Sequence, residues 1–532
     1  MRRLLGAAAV IALATAGGLP TSAQAAPTAA AAVPRIDWVK CVDPSLVARK
    51  AECGFVTVPL NYAEPEGTTI KLAVSRVRHT VPAARYQGVM LVNPGGPGAK
   101  GQGLSVLGAL VPKKAGLAYD WIGFDPRGVG ASRPSLSCDS DYNGYDRPQY
   151  VPESTAKSKV WLARAERYAK ACAKAGGALL DHLRTRDSAR DMDNIREALG
   201  ARQINFYGFS YGTYLGQVYA TMFPSHVRRM VLDGNVNPNR IWYRSNLDQD
   251  LAFDRNINIY FDWLAKYDKL YHLGRTGSAV RKLFYAEQAK LDRAPAGGVI
   301  GPSELTDVFL QAGYYVFGWE EIAQAFSTWV TKRDPAALRG LFDKSNPQTA
   351  GSDNAYAIYL GVQCTDMQWP ISWSRWAEDN WSMHHKAPFE TWANAWFNAP
   401  CREWAGRSGI PTAVDGAEVP PILLISETYD AATPFSGSLE VRRLFPRASL
   451  VEGVDGTTHA GSLFGNLCVD NTVADYLATG VLPRRLSEDR SDRRCPAIAK
   501  PSPSVASAAR RSAGQKAVGS VRFALQRTIT GR

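Results

Sequence analysis

Ile204-Asn205-Phe206-Tyr207-Gly208-Phe209-Ser210-Tyr211-Gly212-Thr213-Tyr214 decides how the rest of this chain is read. The first four residues form an apolar run of strand length, and the run from Tyr214 to Phe223 has helical spacing. Between them stands a serine flanked by glycines, at the sharp turn where a strand becomes a helix. Working outward, a helix is predicted over 188–199, with Ala189, Met192, Ile195 and Leu199 on one face and Gly200 closing it. Strands are predicted at 54–59, 70–75, 87–92 and 119–124, and again at 421–426 and 448–452. Alternating strands and helices imply a mostly parallel sheet covered by helices on both faces. The stretch 237–410 breaks the pattern, being dense in Trp, Tyr and Phe, helical in spacing and poor in strand signal. It reads as a helical cap inserted before the last strands. The core then occupies 36–236 and 411–497.

Gly208-Phe209-Ser210-Tyr211-Gly212 fits G-x-S-x-G, the nucleophile elbow of α/β hydrolases, in which the turn thrusts the serine hydroxyl out of the sheet. A serine hydroxyl needs a base to take its proton and a carboxylate to orient that base. In α/β hydrolases the chain order is serine, acid, histidine. Among the histidines well beyond Ser210, His272, His384 and His385 fall in the aromatic insertion, whereas His459 lies in a Gly/Thr-rich loop after the last predicted strand. His459 is the candidate base. Asp430 follows the 421–426 strand, and Thr433-Pro434 reads as the cap and first residue of a helix, so Asp430 is the candidate acid. Glu427, Asp455 and Asp366 are its rivals. Oxyanion donors are expected from the backbone of Tyr211 and of the Asn93-Pro94-Gly95-Gly96-Pro97-Gly98 loop, with Gly96 preferred and Gly95 open. No H-E-x-x-H or comparable metal-ligand spacing occurs, and no cofactor is expected.

Met1-Arg2-Arg3, an apolar run over 4–19 and Ala23-Gln24-Ala25 read as an export leader cleaved after residue 25, followed by a linker or short pro-segment over 26–35. No later segment is apolar enough to span a bilayer. Eight cysteines, an even number in an exported chain, fall into sequence-local pairs: Cys41 with Cys53, Cys138 with Cys172, Cys364 with Cys401, Cys468 with Cys495. Structural disulfides are expected, although sequence alone leaves their connectivity open. The formal charge of +13 is concentrated in part in the tail over 498–532, which is read as disordered rather than as a nucleic-acid site. Oligomeric state leaves no sequence signal.

These motifs, together with Asp125-Pro126-Arg127-Gly128-Val129-Gly130, Cys364-Thr365-Asp366 and Asp430-Ala431-Ala432-Thr433-Pro434, resemble the secreted tripeptidyl aminopeptidases of actinomycetes, in the prolyl-aminopeptidase-like branch of the α/β-hydrolase fold. The resemblance covers about 36–495. It implies Ser210, Asp430 and His459 as the triad, a C-terminal module over Cys468 to Cys495, and metal-free release of tripeptides from free N-termini. An aminopeptidase must hold a substrate ammonium, for which Glu320, Glu321 and Asp366 are candidates. Two departures stand out: Ala460 sits where the family has glycine after the histidine, and the basic tail runs past the family's usual end. An esterase using the same triad is the alternative reading, because fold and triad do not specify the acyl group.

Overall fold

The computed structural model describes residues 35–503; the expected export leader, the expected linker up to residue 34 and the expected tail beyond residue 503 lie outside them. Ten strands form one sheet: β1 (Val39–Lys40), β2 (Glu52–Pro59), β3 (Thr69–Val77), β4 (Val89–Asn93), β5 (Asp120–Phe124), β6 (Ile204–Phe209), β7 (Val227–Asp233), β8 (Leu423–Glu427), β9 (Ser449–Val454) and β10 (Arg493–Pro496). Their order is β1-β2-β3-β5-β4-β6-β7-β8-β9-β10. Pairing is antiparallel from β1 to β5 and parallel from β5 across to β10. Every residue of β4, β5, β6 and β8 is buried, which is why these strands read as continuous apolar runs rather than as alternations.

Alternate residues of β6 enter different layers. Phe206 packs with Ala189, Met192 and Ile195 of the Thr185–Ala198 helix and with Leu215 and Val218 of the Tyr211–Met222 helix. Tyr207 and Phe209 point the other way, into a layer with Leu107, Val469 and Val473. The fold is thus that of an α/β hydrolase, with helices on both faces of a mostly parallel sheet. β7 went unread in the sequence because Arg228 and Arg229 interrupt its apolar pattern; both are only half-buried near its start.

The insertion between β7 and β8 is helical, as the sequence implied, but it is not one body of packing. Residues from Ala252 to Phe342, with Phe389, form an aromatic cluster separate from that of the sheet, built on Phe253, Tyr260, Phe284, Phe309, Trp319 and Phe326 and joined by Ala431 and Ala432 of the loop after β8. The later helices Asn354–Asp366 and Thr391–Asn398 instead bury Ile358, Leu360, Trp392 and Trp396 in the same cluster as the sheet. All four local cysteine pairs are bonded, Cys41–Cys53, Cys138–Cys172, Cys364–Cys401 and Cys468–Cys495. Among the described residues no helix is long and apolar enough to cross a membrane. The first residues of the expected disordered tail are in fact tied down: the Ile498 N–H donates to Glu427 (3.1 Å), and the Pro501 carbonyl accepts from Trp263 Nε1 (2.8 Å).

Candidate active site

At the end of β6 the backbone of Ser210 adopts φ 55° and ψ −127°, outside the regions that a side chain finds comfortable. The turn is held on both sides: the Ser210 N–H donates to the Asp233 carbonyl (2.9 Å), and the Thr213 N–H donates to the Ser210 carbonyl (2.8 Å). The flanking glycines are obligatory. A Cβ on Gly208 would lie 2.5 Å from the Gly212 carbonyl oxygen, and one on Gly212 would lie 2.7 Å from that of Asn93. Gly95 presses against the same turn, where a Cβ would meet the Phe209 carbonyl oxygen at 2.5 Å and Ser210 Cβ at 2.8 Å.

The loop after β8 carries Asp430 and the loop after β9 carries His459; both side chains are buried, at 0% and 2% exposure. His459 Nδ1 lies 2.9 Å from each carboxylate oxygen of Asp430. Thr433 completes the carboxylate's shell, its N–H donating to Oδ1 and its hydroxyl to Oδ2, each at 2.9 Å. This corrects the reading of Thr433-Pro434 as helix cap and first residue. The helix starts at Phe435 after Pro434, and Thr433 is spent on Asp430 instead. Nor do the rival acids compete for the imidazole. Glu427 accepts from the N–H groups of Thr458 (2.6 Å) and Ile498, and burial pushes its pKa up to about 8. Asp455 takes a left-handed turn at φ 59°.

Two further buried groups, unread in the sequence, fix the histidine loop. The Asp233 carboxylate, at the end of β7, accepts from the Ser462 N–H (2.7 Å) and hydroxyl (2.5 Å), while its own carbonyl holds Ser210. Burial raises its pKa to about 7, against the lowering effect of the Ser462 hydrogen bonds. The cap also reaches the loop, since the His459 N–H donates to the Tyr314 carbonyl (2.9 Å). Asn256 Nδ2 donates to the Tyr429 carbonyl (2.8 Å) and lies 3.4 Å from that of Thr457, touching the acid loop and the base loop at once. The Leu232-Asp233-Gly234 ending of β7 was the available signal for Asp233; an asparagine inside a long helix offers none.

Ser210, His459, Tyr211 and Gly96 line one cavity, together with Trp242, Asn246, Gln363, Tyr356 and other residues from the insertion. The Gly95 N–H is taken by Asn93 Oδ1 (2.9 Å), which separates Gly95 from Gly96 as a donor into the cavity. The Tyr211 N–H is the first of its helix and has no partner within that helix. The three acids considered for an ammonium are not in the cavity wall. Glu321 is exposed and paired with Lys344 (3.3 Å), and Glu320 sits beside it on the Trp319–Lys332 helix. Asp366 is buried, its oxygens occupied by the Thr185 N–H (2.7 Å), the Thr185 hydroxyl (2.6 Å) and Trp242 Nε1 (3.1 Å), and burial pushes its pKa up to about 6. It supports the floor: Thr185 also bonds the Tyr211 hydroxyl (2.9 Å).

Similarity to known proteins agrees with this architecture. Residues 88–277 match the family described as α/β hydrolase fold, and residues 387–495 match the family described as TAP-like protein. The chain is 40% identical to a tripeptidyl aminopeptidase of Streptomyces coelicolor, over 90% of each chain. It is 31% identical to carboxylesterase B of Mycobacterium tuberculosis, covering 86% of this chain and 90% of that one, and 29% identical to serine protease Hip1 of the same species, covering 84% and 89%. The chain belongs to the tripeptidyl aminopeptidase family and is a serine hydrolase of the α/β-hydrolase fold.

Proposed function

We propose that this is a secreted serine exopeptidase that releases tripeptides from free N-termini through a Ser210–His459–Asp430 triad. The observation that carries the reading is the buried Asp430–His459 contact at 2.9 Å, beside a cavity that Ser210 also lines. In this mechanism Asp430 fixes the proton of His459 on Nδ1, which leaves Nε2 as the base. Nε2 takes the Ser210 hydroxyl proton as Oγ attacks the third peptide carbonyl, and the oxyanion is held by the N–H groups of Tyr211 and Gly96. The imidazolium returns the proton to the leaving amine, giving a free polypeptide and an acyl-enzyme. A water, deprotonated by the same nitrogen, then attacks the acyl carbonyl, and collapse returns the proton to Oγ and frees the tripeptide. No metal or cofactor enters any step.

Residues 36–236 and 411–497 serve as the catalytic core and 237–410 as the cap. Four disulfides, and the lack of a membrane-length apolar helix among the described residues, are in keeping with export. The carboxylesterase relative favours a second reading, an esterase on the same three residues. Tripeptide anilides with free and acetylated N-termini, assayed beside short-chain esters, separate the two. Preference for free-amino anilides, abolished in Ser210→Ala, is the expected result; equal cleavage of acetylated substrates would refute the exopeptidase assignment. N-terminal sequencing of protein recovered from culture medium tests export, with Ala26 the expected first residue.

A further inference from the structure

With Glu320, Glu321 and Asp366 outside the cavity wall, the exopeptidase reading lacks a group for the substrate's ammonium. Among the residues that line the cavity one carries a carboxylate, Asp248; the remaining polar side chains are neutral amides, hydroxyls and His459. Asp248 stands in the second turn of the Tyr243–Lys266 helix, whose Ser245, Asn246 and Gln249 line the same space. Its carboxylate is 34% exposed and is gripped in two-point fashion by Arg240, Nη2 to Oδ1 at 2.7 Å and Nε to Oδ2. Asp248 lines the cavity and Arg240 does not, so the guanidinium holds the carboxylate from outside the cavity wall. A carboxylate has about four acceptor positions, and a bidentate guanidinium fills two. The helix itself is pinned to the catalytic loops: Gln249 Nε2 donates to the Ala432 carbonyl (2.7 Å), between Asp430 and Thr433.

We propose that Asp248 is the specificity residue for the free amino terminus, accepting the α-ammonium of the substrate on the lone pairs that Arg240 leaves open. The inference rests on the exopeptidase reading and supplies its recognition element. It also gives a physical basis for a fixed release length. An acid held at one place on the cap limits how many residues fit between the amine and the scissile carbonyl, and three extended residues span about 10 Å. The guanidinium behind the carboxylate and its partial exposure both weaken the attraction, so the expected effect is moderate, about tenfold in KM.

Asp248→Asn and Arg240→Ala are compared with the wild type on matched free-amino and N-acetyl tripeptide anilides, with thermal melting to verify folding. The expected result for Asp248→Asn is a KM about tenfold higher for the free-amino substrate, kcat within about twofold, and an unchanged KM for the acetylated one, so that the preference collapses. Arg240→Ala breaks the same ion pair but keeps the carboxylate, and is expected to retain the preference. If both variants weaken both substrates alike, Asp248 serves only as half of a structural ion pair and the proposal is overturned. If the wild type prefers free amines and Asp248→Asn keeps that preference, the proposal alone fails; if the wild type shows no preference, the exopeptidase reading fails and takes the proposal with it.

Discussion

The two walls of the cavity are built in opposite ways. On the sheet side, three buried carboxylates, Asp233, Glu427 and Asp430, surround the histidine loop, and their hydrogen bonds tie it to β7, to β8 and to the residues that follow β10. On the cap side, the wall consists of amides, hydroxyls and aromatic rings, with one half-exposed carboxylate at Asp248. The sheet side has little freedom, since each loop is fixed by several buried bonds that cost much to leave unmade. The cap side presents groups that can exchange a protein partner for a substrate. Under the proposed function such a division gives bond cleavage to one wall and substrate choice to the other. Variants on the sheet side should therefore lower kcat for every substrate, and variants on the cap side should change KM for some.

The largest break in this contrast comes from the proposed triad. Ser210→Ala is expected to reduce kcat by roughly 10⁴- to 10⁶-fold, and Asp430→Asn by about 10⁴-fold through loss of the correct histidine tautomer, with KM little altered in both. Steady-state kinetics on a free-amino tripeptide anilide measure this; a KM effect without a kcat effect would place these residues in binding instead. Asp248→Asn supplies the opposite signature, and the pair of profiles is the sharpest test of the two-wall view.

Glycines offer a second, smaller break. Gly212→Ala drives a Cβ to 2.7 Å from the Asn93 carbonyl oxygen, a backbone atom that cannot step aside without moving the proposed oxyanion loop. Activity is expected to fall by at least about 100-fold, since a 1 Å displacement near the reacting atoms is enough for that. Gly340, in the Ala336–Ser345 helix of the insertion, faces open space with no atom within 4 Å of an added Cβ. Gly340→Ala is expected to leave kcat and KM unchanged and to stabilise the protein by up to ~1 kcal/mol. Thermal melts and kinetics on the two variants check the pair; a destabilised Gly340→Ala would show that this stretch is strained after all.

The same division explains what could be read from sequence. β4, β6 and β8 and the elbow were legible because a buried parallel strand is a continuous apolar run and the turn at Ser210 permits only glycine on either side. His459 and Asp430 were selected because chain order and position after a strand restrict the choice, and the structure places them 2.9 Å apart. The cap wall was opaque. Glu320, Glu321 and Asp366 were drawn from a long helical stretch in which no local rule tells whether a side chain meets solvent, core or cavity; in the structure none of them lines the cavity, Glu321 pairs with Lys344 and Asp366 accepts from Thr185. Asp248 was passed over for the same reason, since its value lies in where the helix sits against the sheet. Thr433 was misread because a hydroxyl before proline at a helix start is also well placed to serve a neighbouring carboxylate.

The smallest effect lies in the acids that hold the histidine loop without touching substrate. Folded, Asp233 titrates at about 7, against roughly 3.9 in an unfolded chain. Between those values the folded protein holds a proton that the unfolded one has released, so stability falls as pH rises from about 4 through 7. The groups that face Asp233 are Ser462, His459, Asp430, Glu427, Tyr207 and Tyr315, and among them His459 alone opposes the rise by its charge. Glu427, at about 8, adds a decline of the same sign that extends to higher pH. Asparagine has the shape of a protonated aspartic acid and keeps an oxygen for the Ser462 N–H and hydroxyl. Asp233→Asn is therefore expected to melt close to the wild type at pH 5 and to lose less stability between pH 5 and 8, the remaining slope coming from Glu427. Melting temperatures at four pH values for both proteins decide it, and parallel curves would mean that Asp233 is ionised throughout. In that case the sheet wall holds its loop by charge, and neutral hydrogen bonding is not what keeps His459 in place.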